Sequence, residues 1–88
     1  TLQLLPRSLT LLPDATYQIQ WSGGPRLHSE IKFKILNLTV ANVSDVGLVR
    51  ANFVGSTILY GAIEGYDTET KEKIIYGEDS IQVTVKLL

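Results

Sequence analysis

Apolar and polar residues alternate with a period of two along much of this 88-residue chain, and that alternation restricts the folds open to it. Apolar side chains occupy every second position over residues 17–21, 31–35 and 81–87. Successive side chains of a strand point to opposite faces, so each stretch predicts a strand with one buried face. Residues 57–66 carry apolar side chains at both odd and even positions, which predicts a central strand.

Turn-forming residues separate these stretches at intervals of about ten positions. The turn segments, each containing Gly, Pro, Asp or Ser, are residues 12–14, 22–25, 45–47, 54–56 and 67–70. Glycine tolerates positive φ angles, and Asp or Ser side chains can bond to the backbone of a turn. About seven short strands at this spacing predict an all-β fold, an Ig-like β-sandwich.

Three aromatic residues are the candidates for the centre of the core: Trp21, Phe33 and Phe53. Trp21 lies on the second predicted strand, and Phe33 and Phe53 are expected to pack around it. Replacing a buried aromatic side chain by alanine costs roughly 3–5 kcal/mol, so Trp21→Ala is expected to destabilise the fold strongly. The alternative for Trp21 is a ring that stacks on a ligand.

The composition excludes several classes of protein. Eight basic and nine acidic residues give a net charge of −1, which provides no electrostatic footprint for nucleic acid. The longest apolar run, residues 58–63, is far too short to cross a membrane. The chain has no cysteine, so disulfides and thiolate metal sites are excluded. Its length fits one domain, residues 1–88, and the absence of methionine indicates a domain excised from a longer protein.

No combination of residues indicates catalysis or a cofactor. The one histidine, His28, stands in a Gly-Pro-rich loop without a serine and carboxylate in the order of a catalytic triad. Several carboxylates cluster near two predicted hairpins: Asp67, Glu69, Glu72, Glu78 and Asp79. They lack the spacing of a calcium-binding loop, and lysines interrupt them, which favours solvated turns. The sequence therefore predicts a non-enzymatic domain that folds without metal.

Two asparagines stand in N-glycosylation sequons. Asn37 is followed by Leu and Thr, and Asn42 by Val and Ser. Asn37 lies between predicted strands and is the better candidate for a glycan. Asn42 lies in a predicted short edge strand, where its side chain could face inward. The alternative for both asparagines is a role confined to forming turns.

Residues 37–51 read Asn-Leu-Thr-Val-Ala-Asn-Val-Ser-Asp-Val-Gly-Leu-Val-Arg-Ala, and Gly-Ser-Thr-Ile-Leu follows at residues 55–59. This pattern resembles the signature of the bacterial-type Ig-like repeat found in invasin-like adhesins. In such a repeat, Gly47 would close a hairpin where a Cβ atom would clash, and Leu48 and Val49 would enter the core. Gly55 would turn the chain into the central strand.

A second resemblance covers most of the chain and depends on the order and spacing of several segments. These segments are residues 4–13, 22–25, 35–44, 47–49 and 66–70. Together they resemble the luminal repeats of the large nuclear pore membrane glycoprotein family. The resemblance implies a structural module in a long luminal array of Ig-like domains, carried by a glycoprotein whose single membrane span lies elsewhere in the chain.

The same resemblance implies a location in the nuclear envelope, on the side of the perinuclear space and the lumen of the endoplasmic reticulum. The implied role is to help anchor or assemble the pore through spacing and domain–domain contacts. The expected partners are neighbouring Ig-like domains of the same chain and further copies of the full-length protein. The alternative is a stalk repeat of a bacterial invasin- or intimin-type adhesin, and the sequons favour the nuclear pore family.

Overall fold

A computed structural model describes residues 2–23 and 29–88, and the regular structure of these residues is formed by strands. In chain order the strands are β1 (Gln3–Leu5), β2 (Ser8–Leu11), β3 (Thr16–Gln18), β4 (Gln20–Ser22), β5 (Ser29–Ile35), β6 (Ala41–Val43), β7 (Leu48–Ala51), β8 (Gly55–Tyr66) and β9 (Lys73–Val85). The predicted all-β class is therefore confirmed. The described residues form more strands than the seven or so predicted, in part because the stretch expected as one strand over residues 17–21 is divided between β3 and β4.

The larger sheet has the strand order β2-β9-β8-β5. Strand β8 is antiparallel to both of its neighbours, β5 and β9, which confirms the central strand predicted from residues 57–66. Strand β2 joins the other edge of β9 in parallel, with Leu9 opposite Val83. Side chains of β8 alternate between buried and more exposed positions along most of its length, so one face of this sheet covers the core.

The opposite layer consists of the three-stranded sheet β3-β7-β6 and the β1-β4 ladder. Strands β3 and β4 follow one another directly, separated by Ile19, which is buried and whose N–H donates to the Gly47 carbonyl at 2.9 Å. The stretch expected as one strand thus pairs with β7 through its first half and with β1 through its second half. The two layers pack face to face and together form an Ig-like β-sandwich.

The core between the layers is mainly aliphatic. Its largest fully buried side chains are Leu4, Ile19, Leu59, Val49, Val83 and Val85. Trp21 and Phe33 pack against this cluster from its border and remain partly exposed, with ring centroids 5.4 Å apart and planes tilted by 58°. The centre of the core is therefore formed by branched aliphatic residues, and the aromatic pair covers one side of it.

Two predicted core positions are wrong. Phe53 is 67% exposed because β7 ends at Ala51 and the chain has already turned when it reaches Phe53. Val40 is buried beside this turn, and its carbonyl accepts hydrogen bonds from the Asn52 and Phe53 N–H groups at 2.8 and 3.2 Å. Leu48 is also exposed, because β7 alternates and the inward positions belong to Val49 and Ala51.

Two glycines have the roles that the motif predicts. Gly47 has a φ of +85°, and a Cβ atom there would lie 3.0 Å from Cζ of Phe33. Gly55 has a φ of +155°, and a Cβ atom there would lie 2.8 Å from Cγ2 of Val40. Both positions combine a backbone conformation that other residues rarely adopt with a close neighbour, so glycine is required at each.

The fold is elongated, with principal extents of 52 × 21 × 15 Å. Leu2 lies beside Gly77, whereas Val85 closes the far end of β9 opposite Gly55. The stretch of β9 between Gly77 and Val85 spans roughly 26 Å. Val85 therefore lies well away from Leu2, and the β8–β9 hairpin continues past Leu2 to a turn at residues 67–72.

Candidate interaction surfaces and glycosylation sites

The carboxylates that lie near one another in the sequence do not form a cation site. Asp67, Glu69 and Glu72 belong to the turn of the β8–β9 hairpin, whereas Asp79 lies on β9 and binds an arginine. Among residues 2–23 and 29–88, no three His, Cys, Asp or Glu side chains are grouped so that they could hold a metal ion. His28 lies outside the described residues.

An ion pair ties the N-terminal strands to β9. The Arg7 guanidinium donates two hydrogen bonds to the Asp79 carboxylate, the longer of them 3.1 Å, and the Leu4 N–H donates to the same carboxylate at 2.8 Å. The Arg7 hydrogen bond is the main cause that lowers the pKa of Asp79 to about 2. The sequence pattern gave no sign of this pair, because its partners are 72 positions apart. Its role is to hold the corner between β1 and β2 against the larger sheet.

Asn37 stands in the loop between β5 and β6, with its side chain exposed. Its Oδ1 atom accepts a hydrogen bond from the Thr39 N–H at 3.0 Å, and its own N–H donates to Thr57 Oγ1 at 2.9 Å. The loop backbone is thus anchored to β8 while the side chain faces outward. The Asn37 side chain is therefore accessible to an enzyme that attaches N-glycans.

Asn42 lies on β6, at an edge of the three-stranded sheet. Its side chain is exposed, so the inward orientation considered from the sequence is not the one the fold adopts. The inward positions of this strand belong to Ala41, which is fully buried, and to Val43, which is partly buried. Asn42 Oδ1 accepts a hydrogen bond from Asn52 Nδ2 at 3.3 Å. Both sequons therefore place their asparagine on the outside of the sandwich.

The outer face of the larger sheet bears a shallow groove of about 440 Å³. It is lined by side chains of mixed character, among them Lys32, Lys34, Tyr60, Glu64 and Glu78. Lys32 is paired with Glu30 at 2.9 Å, and Glu64 with Lys73 at 3.3 Å. Outward charges on β5 also discourage pairing with a strand of another molecule, because a charged edge strand resists sheet extension.

Five exposed apolar side chains belong to the segments at the end of the fold where the chain leaves it: Leu12, Phe53, Val54, Leu87 and Leu88. We name this group the exit surface. Its least exposed member is Leu12, at 42%. The three segments that carry these residues are the β2–β3 connection, the β7–β8 connection and the residues after β9.

The backbone beneath the exit surface is held by hydrogen bonds. The Lys86 N–H donates to the Leu11 carbonyl at 3.0 Å, and the Asp14 N–H donates to the Ala51 carbonyl at 2.9 Å. The Asn52 N–H donates to the Val40 carbonyl at 2.8 Å. The apolar side chains therefore belong to backbone segments that are fixed by hydrogen bonds.

The turn at residues 67–72, at the opposite end, is polar and stabilised by its own residues. The Asp67 carboxylate accepts the N–H groups of Thr70 and Glu69, at 3.1 and 2.8 Å, and these bonds lower the pKa of Asp67. The Glu72 N–H donates to Thr70 Oγ1 at 3.3 Å, and Lys71 has a φ of +66°. An acidic side chain that bonds to the following N–H groups is the arrangement that Asp favours in turns.

Residues 1–59 match the bacterial Ig-like domain (group 2) family. The chain belongs to this family. The matched stretch extends from the N-terminal strands into β8, so it includes the turn at Gly47, both sequons and two of the three segments of the exit surface. The Ig-like resemblance inferred from the motif is thereby confirmed.

The chain is also similar to two animal proteins. It is 35% identical over 83 residues to nuclear pore membrane glycoprotein 210-like from Homo sapiens. It is 36% identical over 83 residues to nuclear pore membrane glycoprotein 210-like from Mus musculus. Each alignment covers 94% of this chain and 4% of the relative, so the chain spans only a small part of the curated relatives it matches. The described residues contain no helix long and apolar enough to span a membrane.

Proposed function

We propose that this chain is a structural Ig-like module of the luminal array of a nuclear pore membrane glycoprotein. The observation that carries the proposal is the identity of 35–36% across 94% of the chain with two proteins named as nuclear pore membrane glycoproteins. The proposed location is the nuclear envelope, on the side of the perinuclear space. The module would support pore anchoring and assembly without any catalytic activity.

The shape of the fold supports a spacing role. The long strands β8 and β9 form an antiparallel ladder from Gly55 opposite Val85 to Tyr66 opposite Lys73, with a register shift between Ile63 and Glu64. This ladder runs along the 52 Å axis of the fold and makes it a stiff element, because extended strands paired over many residues resist bending. A chain of such modules would hold its ends at defined distances. Neighbouring Ig-like domains and further copies of the full-length protein are the proposed partners.

The location can be tested through the turn at residues 67–72, which is exposed, polar and suited to an inserted epitope. We expect the tagged full-length protein to label the nuclear rim only after the nuclear envelope itself is permeabilised. An epitope accessible after selective permeabilisation of the plasma membrane would contradict a luminal location. An epitope on the surface of intact cells would instead favour the adhesin alternative.

We further propose that Asn37 and Asn42 carry N-glycans in the secretory pathway, because both side chains lie on the outside of the fold. The variants Asn37→Asp and Asn42→Asp remove one sequon each and keep the Oδ1 acceptors that bind the Thr39 N–H and the Asn52 amide. We expect each variant to lose the mass of one glycan, measured before and after glycosidase treatment. An unchanged mass in a well-secreted variant would show that the corresponding sequon is unused.

A further inference from the structure

We propose that the outer face of the larger sheet is a weak contact surface for a second copy of this chain, in a pair related by a twofold axis parallel to β8. This inference rests on the proposed function, which names further copies of the protein as partners. It adds the face and the orientation in which two copies meet. The observation that carries it is the placement of opposite charges on either side of an uncharged centre.

The first argument is the order of side chains across this face. The outward positions of β8 include Tyr60 and Ala62. Ala62 lies between its two cross-strand partners, Lys32 of β5 and Glu78 of β9. Lys34 of β5 is the cross-strand partner of Tyr60. At this level of the sheet, positive charges on β5 are therefore separated from a negative charge on β9 by uncharged side chains of β8.

The second argument is that these charges are poorly satisfied within one molecule. Among residues 2–23 and 29–88, neither Lys34 nor Glu78 has an ion-pair partner, and both are exposed. Lys32 pairs with Glu30 at 2.9 Å, but both side chains are more than half exposed, so solvent screens this pair and it contributes little. Opposite charges on a partner would therefore find charged groups that are still available.

The third argument is symmetry. When two copies pack face to face, a twofold axis parallel to β8 places β5 of one copy over β9 of the other and keeps each residue at its level along the strands. Lys32 of each copy then faces Glu78 of the other, and Lys34 stands diagonal to the same carboxylate. A twofold axis perpendicular to the strands would instead place lysines over lysines. Charge complementarity therefore selects the orientation parallel to β8.

The centre of the face suits this arrangement. The shallow groove of about 440 Å³ lies over Ala62 and beside Tyr60 and Leu36, which are 43% and 56% exposed. Contact with a second copy would remove apolar area of these side chains from water. Glu64 would meet its own copy near the axis, but Lys73 pairs with it at 3.3 Å in each molecule and offsets the repulsion.

The glycosylation sequons leave this face uncovered. The four strands of the larger sheet contain no asparagine, whereas Asn42 is exposed on β6 of the opposite layer. Asn37 stands in the loop that follows β5. The flat face of the larger sheet is therefore the one that a second copy can approach without displacing a glycan attached to a strand.

The size of the face predicts weak association. Three strands about 4.8 Å apart and the seven residues of β5 give a flat area of roughly 330 Å² on each copy. The total of about 700 Å² lies below the range of stable interfaces, about 1,200–2,000 Å². A pair of isolated chains should therefore form only at high concentration. Several such contacts between two arrays would strengthen one another, because each contact after the first forms at high effective concentration.

The experiment is sedimentation equilibrium of the 88-residue chain over a range of concentrations. We expect the chain to be monomeric at about 10 µM and to form dimers at about 1 mM, as the small area implies. A chain that remains monomeric at the higher concentration would overturn the proposal.

Two charge reversals test which residues face each other. Lys32→Glu and Glu78→Lys each place like charges at both contacts of the pair, so each should lower the dimer fraction by about fivefold or more. An equimolar mixture of the two variants restores opposite charges at both contacts of a mixed pair. We expect that mixture to associate as strongly as the native chain, which would also show that both variants are folded.

The matched controls are Lys71→Glu and Glu69→Lys, which change the net charge by the same amounts in the turn at residues 67–72. We expect each control, alone and in the equimolar mixture, to dimerise as the native chain does. An equal loss of dimer in the controls would overturn the proposal, because net charge rather than the facing residues would then explain the effect.

Two further results would overturn the inference. One is a dimer that persists in both Lys32→Glu and Glu78→Lys, which would place the contact on another surface. The other is a mixture that does not associate although both variants keep the thermal unfolding profile of the native chain. None of these results affects the epitope experiment at the nuclear rim, so failure of the contact proposal is distinguishable from failure of the proposed function.

Discussion

The two ends of this elongated fold are built on opposite principles. The turn at residues 67–72 is polar, and Asp67 binds the N–H groups of the turn in which it stands. The exit surface is apolar, and its backbone is held by hydrogen bonds to distant segments, such as that from the Asp14 N–H to the Ala51 carbonyl. One end is stabilised mainly by hydrogen bonds within its own turn, whereas the other is held by hydrogen bonds between segments that are far apart in the sequence.

The two ends therefore differ in how much they would gain from contact with another protein surface. A polar turn that satisfies its own hydrogen-bonding groups gains little from a partner, whereas exposed apolar side chains gain free energy when they are covered. The following predictions test the contrast, beginning with the largest expected effect.

Gly55→Ala should cause the largest loss, because it disturbs the support of the exit surface. The new Cβ atom would approach Val40 Cγ2 to 2.8 Å, in a backbone conformation that alanine rarely adopts. Strain of this kind together with displacement of a buried side chain should cost about 2–3 kcal/mol of unfolding free energy. Urea denaturation followed by Trp21 fluorescence would measure it. The neighbouring exposed residue provides a control, Ser56→Ala, and an equal effect there would contradict the steric explanation.

Asp79→Asn should cause the next largest loss, since it removes the charge that holds Arg7 and the Leu4 N–H. The folded pKa of about 2 lies below the ordinary value of 3.8, so the carboxylate stabilises the fold above about pH 4. That contribution is lost as the pH falls from about 4 to about 2. The side chain of Asp79 is 18% exposed and that of Arg7 is half exposed, so solvent screening reduces the contribution to about 1–2 kcal/mol.

The measurement is the urea midpoint of both proteins at several pH values between 2 and 7. The difference between the native chain and Asp79→Asn should be constant at neutral pH and should shrink below about pH 4. A difference that does not change with pH would show that the ion pair contributes no stability. In that case the loss would come from packing at the β1–β2 corner.

Asp67→Ala should cause a smaller loss, confined to the hairpin turn. The hydrogen bonds from Thr70 and Glu69 lower the pKa of Asp67, so its stabilising effect is present above the ordinary range of an aspartate and declines as the pH falls below it. Hydrogen–deuterium exchange should show faster exchange of the Thr70 and Glu69 amides, with unchanged protection at the buried strand positions of β8. Asp67→Asn, which keeps an Oδ1 acceptor, should show a smaller increase. Loss of protection throughout β8 would contradict a local role.

Phe53→Ser should change the stability of the 88-residue chain least, within about 0.5 kcal/mol, because an exposed side chain makes few contacts to lose. Thermal unfolding of the variant beside the native chain would measure the change. The result separates the two ends of the fold, since the aromatic side chain of the exit surface would contribute less to stability than a single aspartate in the opposite turn. A loss of several degrees in the melting temperature would place Phe53 among the supports of the fold.

Local patterns in the sequence predicted much of this protein. The period of two predicted strands over residues 17–21, 31–35 and 81–87, because a strand that covers a core must present apolar side chains at alternate positions. Gly47 and Gly55 predicted two turns, because their conformations exclude other residues. The two sequons were readable directly. These features depend on neighbours along the chain, and the sequence contains that information explicitly.

The remaining features depend on where each strand ends and on what lies across the sandwich. Phe53 is an even number of positions from Val49 and Ala51, so alternation alone would place it on the same buried face. However, β7 ends at Ala51, and Val40 from another loop is buried beside the turn. Arg7 and Asp79 meet only because parallel pairing brings β2 beside β9. Alternation determines which side of a strand a residue faces. Only the packed layers determine how far the strand continues, which distant group pairs with a charge, and which apolar side chains remain outside.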